Sequence, residues 1–359
     1  MKMVIAGGGT GGHFFPGLAV AEALTADGTS SVLFIGSAHG IEARAVPRTS
    51  FPFRALDIRG ARGGGARAAL AFILDLPIAV ARAWRILREF RPQVVVGLGG
   101  YGSVPVVLAA WPRRIPSLLL EQNVRPGMAN RALALLSVAV CANFADSAAY
   151  FPAGKVEHTG NPVRRLTAPA TQRSGFTVLA FGGSQGAHSV NQAMVGAVQL
   201  LKESVPELRI VHQTGAADEA WVAGRYREMA VDAEVLAFIE DMGSAYGRAD
   251  LVLCRAGATT LAELTTLGKP SILVPYPYAA DDHQRANAEV LVNAAAAEMI
   301  LDAALSPEVL AQRISAFAGD RNRLEEMGRA ARRLSMPDAT LRVVEVCRRV
   351  AGEATKEAL

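Results

Sequence analysis

Two glycine-rich segments follow short apolar runs, and each leads into a helical pattern. Gly7-Gly8-Gly9-Thr10-Gly11-Gly12-His13 follows Met3 to Ala6, and Gly182-Gly183-Ser184-Gln185-Gly186-Ala187 follows Thr177 to Phe181. Glycine lets the backbone approach a ligand closely, and the amides that open a helix carry partial positive charge, so both segments are suited to a phosphate or diphosphate. In the second, the Ser184 hydroxyl adds a donor, and no P-loop lysine follows, which argues against ATP hydrolysis of that type. The first has the spacing of a dinucleotide fingerprint, Gly7-x-Gly9-x-x-Gly12. A nicotinamide cofactor also wants an acid ending the second strand to hold the ribose. That strand ends Ile35-Gly36-Ser37, with Glu42 only further on, so this cofactor is disfavoured.

His13 stands where the first loop meets its helix. An imidazole there titrates near neutrality, and a neighbouring helix N-terminus favours its neutral form, so it is a candidate to take a proton from a hydroxyl nucleophile. A histidine merely satisfied within the structure is the alternative. In Cys254-Arg255-Ala256-Gly257-Ala258-Thr259-Thr260-Leu261-Ala262-Glu263 small residues permit close backbone approach, the amides near Thr259 and Thr260 open a helix, and Glu263 is placed one turn on to accept ribose hydroxyls. Gln284 and Asn287 share a helical face and can address sugar hydroxyls together. Asp281, Asp282 and His283 diverge around that helix and make no metal site. Glu121-Gln122-Asn123 puts three polar residues at a strand's carboxyl end, where packing alone does not explain them.

Between residues 59 and 91 seven arginines (Arg59, Arg62, Arg67, Arg82, Arg85, Arg88, Arg91) face Asp75 and Glu89, a local charge of +5. Phe72, Ile73, Leu74, Leu76, Ile78 and Trp84 are interleaved with them. Basic and apolar residues on one segment suit an anionic membrane surface, with a core helix bearing a solvated basic face as the alternative. The apolar residues are aliphatic rather than stacking aromatics, which disfavours nucleic acid.

These groups need a scaffold of parallel strands. Apolar runs at Ser31–Ile35, Gln93–Gly97 and Ser117–Leu120 alternate with helical stretches at Ala79–Phe90 and Ser103–Trp111, the pattern of βαβ crossovers. After Thr159-Gly160-Asn161-Pro162-Val163 and the polar stretch Thr167 to Gly175, read as a linker, the pattern repeats. Further strands are expected at Leu208–His212, Val235–Phe238, Leu251–Cys254, Ser271–Val274 and Glu298–Leu301, with only helices beyond Pro307. The expected fold is α/β, two Rossmann-like doubly wound parallel-sheet domains with the ligand site in the cleft between them. A (β/α)8 barrel is the alternative.

Length and composition agree. A chain of 359 residues, 51% hydrophobic and 19% charged, makes two or at most three packed domains. A net charge of +4 is too small and too spread to mark a nucleic-acid binder. Three distant cysteines signal neither a disulfide framework nor a metal site and fit a reducing cytosol. The N-terminal apolar run is too short for a secretory signal, and Ala68 to Val80 is too short to span a bilayer.

The motifs Gly8-Gly9-Thr10-Gly11-Gly12-His13-Phe14-Phe15-Pro16-Gly17, Gly99-Gly100-Tyr101-Gly102-Ser103, Glu121-Gln122-Asn123, Gly160-Asn161-Pro162-Val163-Arg164, Gly182 to Ala187, Arg255 to Thr259 with Glu263, and His283 to Asn287 occur in this order. Together they closely resemble the MurG family of bacterial N-acetylglucosaminyltransferases, glycosyltransferase family 28, over nearly the whole chain. The resemblance implies a GT-B fold and a metal-independent, inverting transfer of GlcNAc from UDP-GlcNAc. The acceptor would be the MurNAc C4 hydroxyl of undecaprenyl-pyrophosphoryl-MurNAc-pentapeptide, lipid I, giving lipid II for peptidoglycan synthesis. It also implies peripheral attachment to the anionic inner leaflet at the cytoplasmic face of the plasma membrane, and protein partners in a wall-building complex. Residues 1–162 would form the acceptor and membrane-side domain and 163–336 the UDP-GlcNAc-binding domain, with 337–359 crossing back at Pro337.

Carried over by position, Thr10, Gly11 and Gly12 would meet a diphosphate of donor or acceptor, and Asn123 the donor sugar or the acceptor. Arg164, Ser184 and the segment Ala258, Thr259, Thr260, Leu261, Ala262 would bind the donor. Ile239 would present its backbone to uracil, Glu263 would hold the ribose, and Gln284 with Asn287 the GlcNAc hydroxyls. His13 is the first candidate base and Glu121 the second, while helix-end amides and Ser184 would stabilise the departing UDP. Phe72, Ile73, Leu76, Arg82, Trp84 and Arg85 would meet the membrane. Ala256 and Val124-Arg125 are positions where relatives carry other residues. Other readings are a glycolipid-forming transferase of the same chemistry, a non-catalytic nucleotide-sugar-binding module, and an NAD oxidoreductase.

Overall fold

Short runs that are apolar on every residue make strands buried on both faces, and parallel sheets covered by helices are where such strands occur. In the computed structural model, residues 1–56, 65–164 and 175–357 are described. The expected linker Thr167 to Gly175 lies outside them except for Gly175, as do Arg59, Arg62 and the side chain of Arg67. The chain divides into two compact units, Met1–Arg164 with Met336–Leu359, and Arg165–Ser335.

Unit 1 carries a seven-stranded parallel sheet in the order β3-β2-β1-β4-β5-β6-β7. Its strands are β1 Lys2–Ala6, β2 Ser31–Ser37, β3 Phe53–Leu56, β4 Val94–Gly97, β5 Ser117–Glu121, β6 Ala139–Ala142 and β7 Val156–His158. Its helices are α1 Gly11–Thr25, α2 Ile41–Ala45, α3 Gly65–Phe90, α4 Val104–Ala110 and α5 Met128–Leu133. The two-residue period of a strand sorts β1 between two core layers. Met3 and Ile5 pack with Phe14, Val20 and Leu24 of α1, whereas Val4 and Ala6 pack with Leu87 of α3 and Val106 and Val107 of α4.

Unit 2 carries a six-stranded parallel sheet in the order β10-β9-β8-β11-β12-β13. Its strands are β8 Phe176–Phe181, β9 Leu208–Gln213, β10 Asp232–Leu236, β11 Leu251–Cys254, β12 Ser271–Leu273 and β13 Glu298–Met299. Its helices are α6 His188–Leu201, α7 Glu219–Glu228, α8 Met242–Arg248, α9 Ala258–Leu267, α10 His283–Asn293, α11 Pro307–Ala318 and α12 Arg321–Arg333. Two separate open sheets exclude the closed barrel. In each unit the strand order reverses around the first strand, β1 or β8, which puts its glycine loop at the topological switch point where such folds bind ligands.

The last helix, α13 Ala339–Glu357, returns to unit 1 and buries Val343, Val346, Cys347 and Val350 beside α1. Its approach explains the Gly160-Asn161-Pro162 motif. Gly160 has φ +80°, and a β-carbon there would lie 2.6 Å from Met336 Cβ. Only glycine accepts both the left-handed backbone and the contact.

The structure departs from the sequence pattern at four places, three of them with a physical reason. Strands β3 and β7 lie at the sheet edges and are only partly buried, so they lack a continuous apolar run. Strand β6 is Ala-Val-Cys-Ala, apolar but poor in strand-forming side chains. Strand β10 begins at Asp232 rather than Val235, because its edge position leaves polar residues exposed. Helix α3 runs from Gly65 rather than Ala79, passing through Asp75 and Pro77 without ending.

Truncating Val343 to Ala should cost unit 1 about 2 kcal/mol through lost burial and a cavity, whereas Leu341 to Ala, on an exposed face of α13, should change stability by less than about 0.5 kcal/mol. Urea unfolding of both variants measures the difference; equal losses would place α13 off the core.

Candidate active site

The first glycine loop is pinned from below. Gly7 N–H donates to Ile35 O at 2.9 Å, extending the β1–β2 pairing past the strand end. Beyond it a buried carboxylate takes over. Glu42, in the first turn of α2 and 1% exposed, accepts from Gly9 N–H at 2.8 Å and from Ser37 N–H at 2.9 Å. An acid turned inward to two backbone amides is not presented to a ribose, which removes the remaining support for a nicotinamide site in unit 1. Thr10 and Gly12 are exposed at the loop tip, and Gly11 opens α1.

His13 lies 2.9 Å from Thr10 Oγ1 through its Nδ1 and is half-buried. In the tautomer where Nδ1–H donates to Thr10, the lone pair sits on Nε2, the nitrogen suited to accept a proton. A β-carbon on Gly99 would lie 3.4 Å from His13 Cδ2 and 3.3 Å from Asn130 Nδ2, so these two side chains converge on the Gly99-Gly100 turn after β4. Asn130 Nδ2 in turn donates to Glu121 Oε2 and to Leu120 O, both at 2.9 Å. Glu121 Oε1 accepts from Asn123 N–H at 2.9 Å and from Asn123 Nδ2 at 3.4 Å. Glu121, the alternative base, is thus a 3% exposed carboxylate surrounded by amides. Burial raises its pKa, and the hydrogen bonds from Asn123 and Asn130 work in the opposite direction. His13, Glu121, Asn123 and Asn130 form one cluster at the carboxyl edge of unit 1. Arg164 belongs to this unit as well, with its guanidinium 5.4 Å from the Phe15 ring.

In unit 2 the second glycine loop rests on the end of β9. Gly186 has φ +78°, and a β-carbon there would overlap the Thr214 carbonyl, which makes glycine obligatory. Gln213, last in β9 and 3% exposed, donates from Nε2 to Gly183 O at 2.8 Å and accepts at Oε1 from Ile239 N–H at 2.8 Å. Beneath it, His212 Nδ1 lies 2.9 Å from Tyr226 Oη and Nε2 lies 3.1 Å from Asn191 Oδ1. Asn191 Nδ2 donates to Thr214 O at 2.9 Å and to Asp218 Oδ2 at 2.8 Å. Ser184 is exposed on the loop.

Helix α9 opens directly after β11, with Leu261 N–H closing its first turn onto Gly257 O at 3.0 Å. Ala258 and Leu261 are buried, while Thr259, Thr260 and Ala262 are half-buried. Glu263 is 7% exposed and accepts from Tyr246 Oη at 2.9 Å. Gln284 Oε1 accepts from Tyr276 N–H at 2.9 Å, and the fully buried Asn287 reaches Ala256 O at 3.4 Å. Arg255 ties the region together. Its guanidinium donates to Val274 O and Pro275 O at 3.2 Å, to Asp302 Oδ1 at 2.5 Å and to Ser189 Oγ at 3.0 Å. Among the described residues no three His, Cys, Asp or Glu side chains group as metal ligands.

The surface of α3 differs in detail from the sequence expectation. Leu70, Ile73, Leu74 and Ile78 are each more than half exposed, at the spacing of one helical face. Phe72 is instead half-buried, its ring edge-on to Tyr101 at 5.1 Å, and Leu76 is half-buried too. Arg82 and Arg85 are exposed, and Arg113 lies over Trp84 at 4.9 Å beside the exposed Trp111. Among the described residues no helix is long and apolar enough to cross a membrane.

Known proteins match the chain along most of its length. The glycosyltransferase family 28 N-terminal domain matches residues 3–140 and the family 28 C-terminal domain matches residues 177–343. A UDP-N-acetylglucosamine--N-acetylmuramyl-(pentapeptide) pyrophosphoryl-undecaprenol N-acetylglucosamine transferase of Anaeromyxobacter dehalogenans is 47% identical, covering 97% of this chain and 92% of the relative. The transferase of the same description from Geobacter sulfurreducens is 46% identical over 96% of this chain and 97% of its own. The crystal structure of Acinetobacter baumannii MurG superposes with a TM-score of 0.80 at 33% identity, covering 97% of this chain and 99% of that one.

The buried network beneath the second loop should be readable in pH. Burial lowers the His212 pKa to about 4, against the pull of Asp218. The unfolded chain therefore binds this proton first, so the stability supplied by neutral His212 is complete above pH ~6.5 and is lost as pH falls toward ~4, at up to about 1.4 kcal/mol per pH unit. Urea unfolding between pH 6.5 and 4.5 should show a steeper loss for the native protein than for His212→Asn. Parallel profiles would assign the titration to other groups.

Proposed function

The chain belongs to glycosyltransferase family 28, among its MurG members, and from that premise we propose that it transfers GlcNAc from UDP-GlcNAc to the MurNAc C4 hydroxyl of lipid I, forming lipid II. Unit 2 takes the donor and unit 1 serves the acceptor. The observation that carries this reading is the His13 cluster of unit 1. An imidazole oriented through Nδ1 by Thr10, beside amides held by a buried carboxylate, is equipment for moving a proton, which a nucleotide-sugar-binding module does not need.

His13 Nε2 accepts the C4 hydroxyl proton as that oxygen attacks the anomeric carbon from the face opposite UDP. The C1–O bond to the diphosphate breaks in the same displacement, its electron pair leaves on UDP, and the configuration inverts to β. Glu121 orients Asn123 toward the sugars. In unit 2 Ser184 and the amino ends of α6 and α9 stabilise the departing diphosphate charge. Glu263, set by Tyr246, accepts from the ribose, Ile239 meets uracil through its backbone, and Gln284 with Asn287 recognises GlcNAc, Asn287 by fixing Ala256. Thr10, Gly11 and Gly12 meet the acceptor pyrophosphate, and Arg164 the donor.

The exposed row Leu70, Ile73, Leu74 and Ile78, with Arg82, Arg85 and Trp84, attaches the protein peripherally to an anionic leaflet at the cytoplasmic face, where the lipid-borne acceptor lies.

Radiolabelled transfer from UDP-GlcNAc to a lipid I analogue tests the reaction, and diacylglycerol as acceptor tests the glycolipid alternative. His13→Ala should lower kcat by roughly 10²- to 10⁴-fold with KM for UDP-GlcNAc within about threefold. Full turnover in this variant would remove His13 as the base. Ile73→Glu with Leu74→Glu should abolish sedimentation with anionic vesicles while transfer to a soluble acceptor analogue persists; unchanged sedimentation would exclude α3 as the attachment face.

A further inference from the structure

We infer that Gln213 is a positioning residue that locks the diphosphate loop and the base-facing backbone of unit 2 into one geometry, and so sets how tightly the UDP end of the donor is held. The inference rests on the reading that unit 2 binds UDP-GlcNAc.

Gln213 pairs in register with Phe181 of β8 on one side and Leu236 of β10 on the other, so its backbone is fixed between two strands that end in ligand-facing loops. Its carboxamide then spans those loops. Nε2 donates to Gly183 O in the loop that leaves β8, and Oε1 accepts from Ile239 N–H in the segment that leaves β10, each at 2.8 Å. Gly183 O also accepts from Gly186 N–H at 3.0 Å, so the clamp acts on a turn closed on itself. At this site one group must donate and accept at once while remaining neutral beside a diphosphate. An amide of this length does so at any pH; an ionised carboxylate supplies acceptors alone, and an aliphatic chain supplies neither. With its N–H committed to Gln213, Ile239 addresses the base through its carbonyl, an acceptor that suits the N3–H of uracil. At 3% exposure Gln213 leaves little surface for a ligand, so its influence passes through Gly183 and Ile239.

Two variants separate this role from general packing. Gln213→Met keeps length and apolar volume but removes both hydrogen bonds. UDP binding by calorimetry should weaken about tenfold and KM for UDP-GlcNAc should rise about tenfold, with kcat within twofold. Gln213→Glu brings a pH signature. Protonated, its carboxyl donates to Gly183 O and accepts from Ile239 N–H as the amide does. Ionised, it repels that carbonyl and the diphosphate. UDP affinity relative to the native protein at the same pH should therefore be near native at pH 5.5 and about tenfold weaker at pH 8. Circular dichroism and thermal unfolding of the ligand-free variants establish that they are folded, and if Gln213→Met is not, the Gln213→Glu profile decides. A native protein that fails to bind UDP would overturn the donor reading and the clamp together. Native binding with UDP affinity unchanged in Gln213→Met, or a flat relative profile in Gln213→Glu, would overturn the clamp alone. A fall in kcat as large as the rise in KM would likewise overturn it.

Discussion

A loop that leaves the centre of a parallel sheet loses its ladder partners on both sides at once, and its backbone must be held by something else if it is to present a fixed surface. That constraint is met twice, by buried side chains of different chemistry. In unit 1 it is the carboxylate of Glu42, which takes Gly9 N–H and Ser37 N–H. In unit 2 it is the neutral carboxamide of Gln213, which takes Gly183 O and Ile239 N–H. The Glu42 carboxyl takes up two amide donors at the first loop, while Thr10 and Gly12 stay exposed at its tip. The Gln213 carboxamide adds no charge, so it does not offset the positive amino ends that α6 and α9 bring to the proposed diphosphate site. The halves share a topology and differ in how the loop is held.

The same constraint governs the buried polar groups. Burying an amide or carboxyl without partners costs on the order of 1–3 kcal/mol, so each such group implies a partner arranged by the fold. Glu121 is enclosed by Asn123 and Asn130, and His212 by Tyr226 and Asn191. Neutral His212 meets its neighbours only as one tautomer, with Nε2–H toward Asn191 and Nδ1 toward the Tyr226 hydroxyl. The network therefore fixes Thr214 through Asn191, and through Thr214 the resting place of Gly186. Rigidity at the loop descends from a chain of hydrogen bonds that begins in the core.

Much of this was legible in the sequence where local pattern and tertiary need coincide. Central strands β1, β4, β5, β8 and β11 are largely apolar runs because helices cover both faces, and the glycines that follow β1, β4 and β8 mark where the chain turns. Edge strands β3 and β7 carry no such pattern, because one side of each lacks a neighbour. Glu42 and Gln213 could not be read for a different reason. Each acts on residues brought near by strand pairing, and nothing in their immediate sequence distinguishes a clamp from an ordinary first-turn acid or a strand-end amide. The one available signal was the set of small residues around Glu42, Gly36 and Gly40 among them, which leaves room for an inward carboxylate. Around α3 the sequence marked a segment both basic and apolar, but which of its apolar residues face outward depends on Tyr101, which draws Phe72 inward.

That Phe72–Tyr101 contact joins two parts of the proposed function. Tyr101 belongs to the Gly99–Ser103 turn on which His13 and Asn130 converge, while Phe72 lies on the helix whose Ile73 and Leu74 are exposed. The helix proposed to meet the membrane is therefore packed directly on the turn that backs the proposed base. A lipid-linked sugar is tethered at the bilayer surface, and the sugar hydroxyl can travel only as far as its pyrophosphate link allows. An enzyme for such an acceptor gains from carrying its base on the element next to its membrane contact, because the surface that captures the lipid then also fixes the height of the reacting hydroxyl. A soluble acceptor would impose no such coupling. The edge-to-face ring pair, worth on the order of 1 kcal/mol beyond its buried area, holds that relation as a single packed unit rather than through a flexible connection.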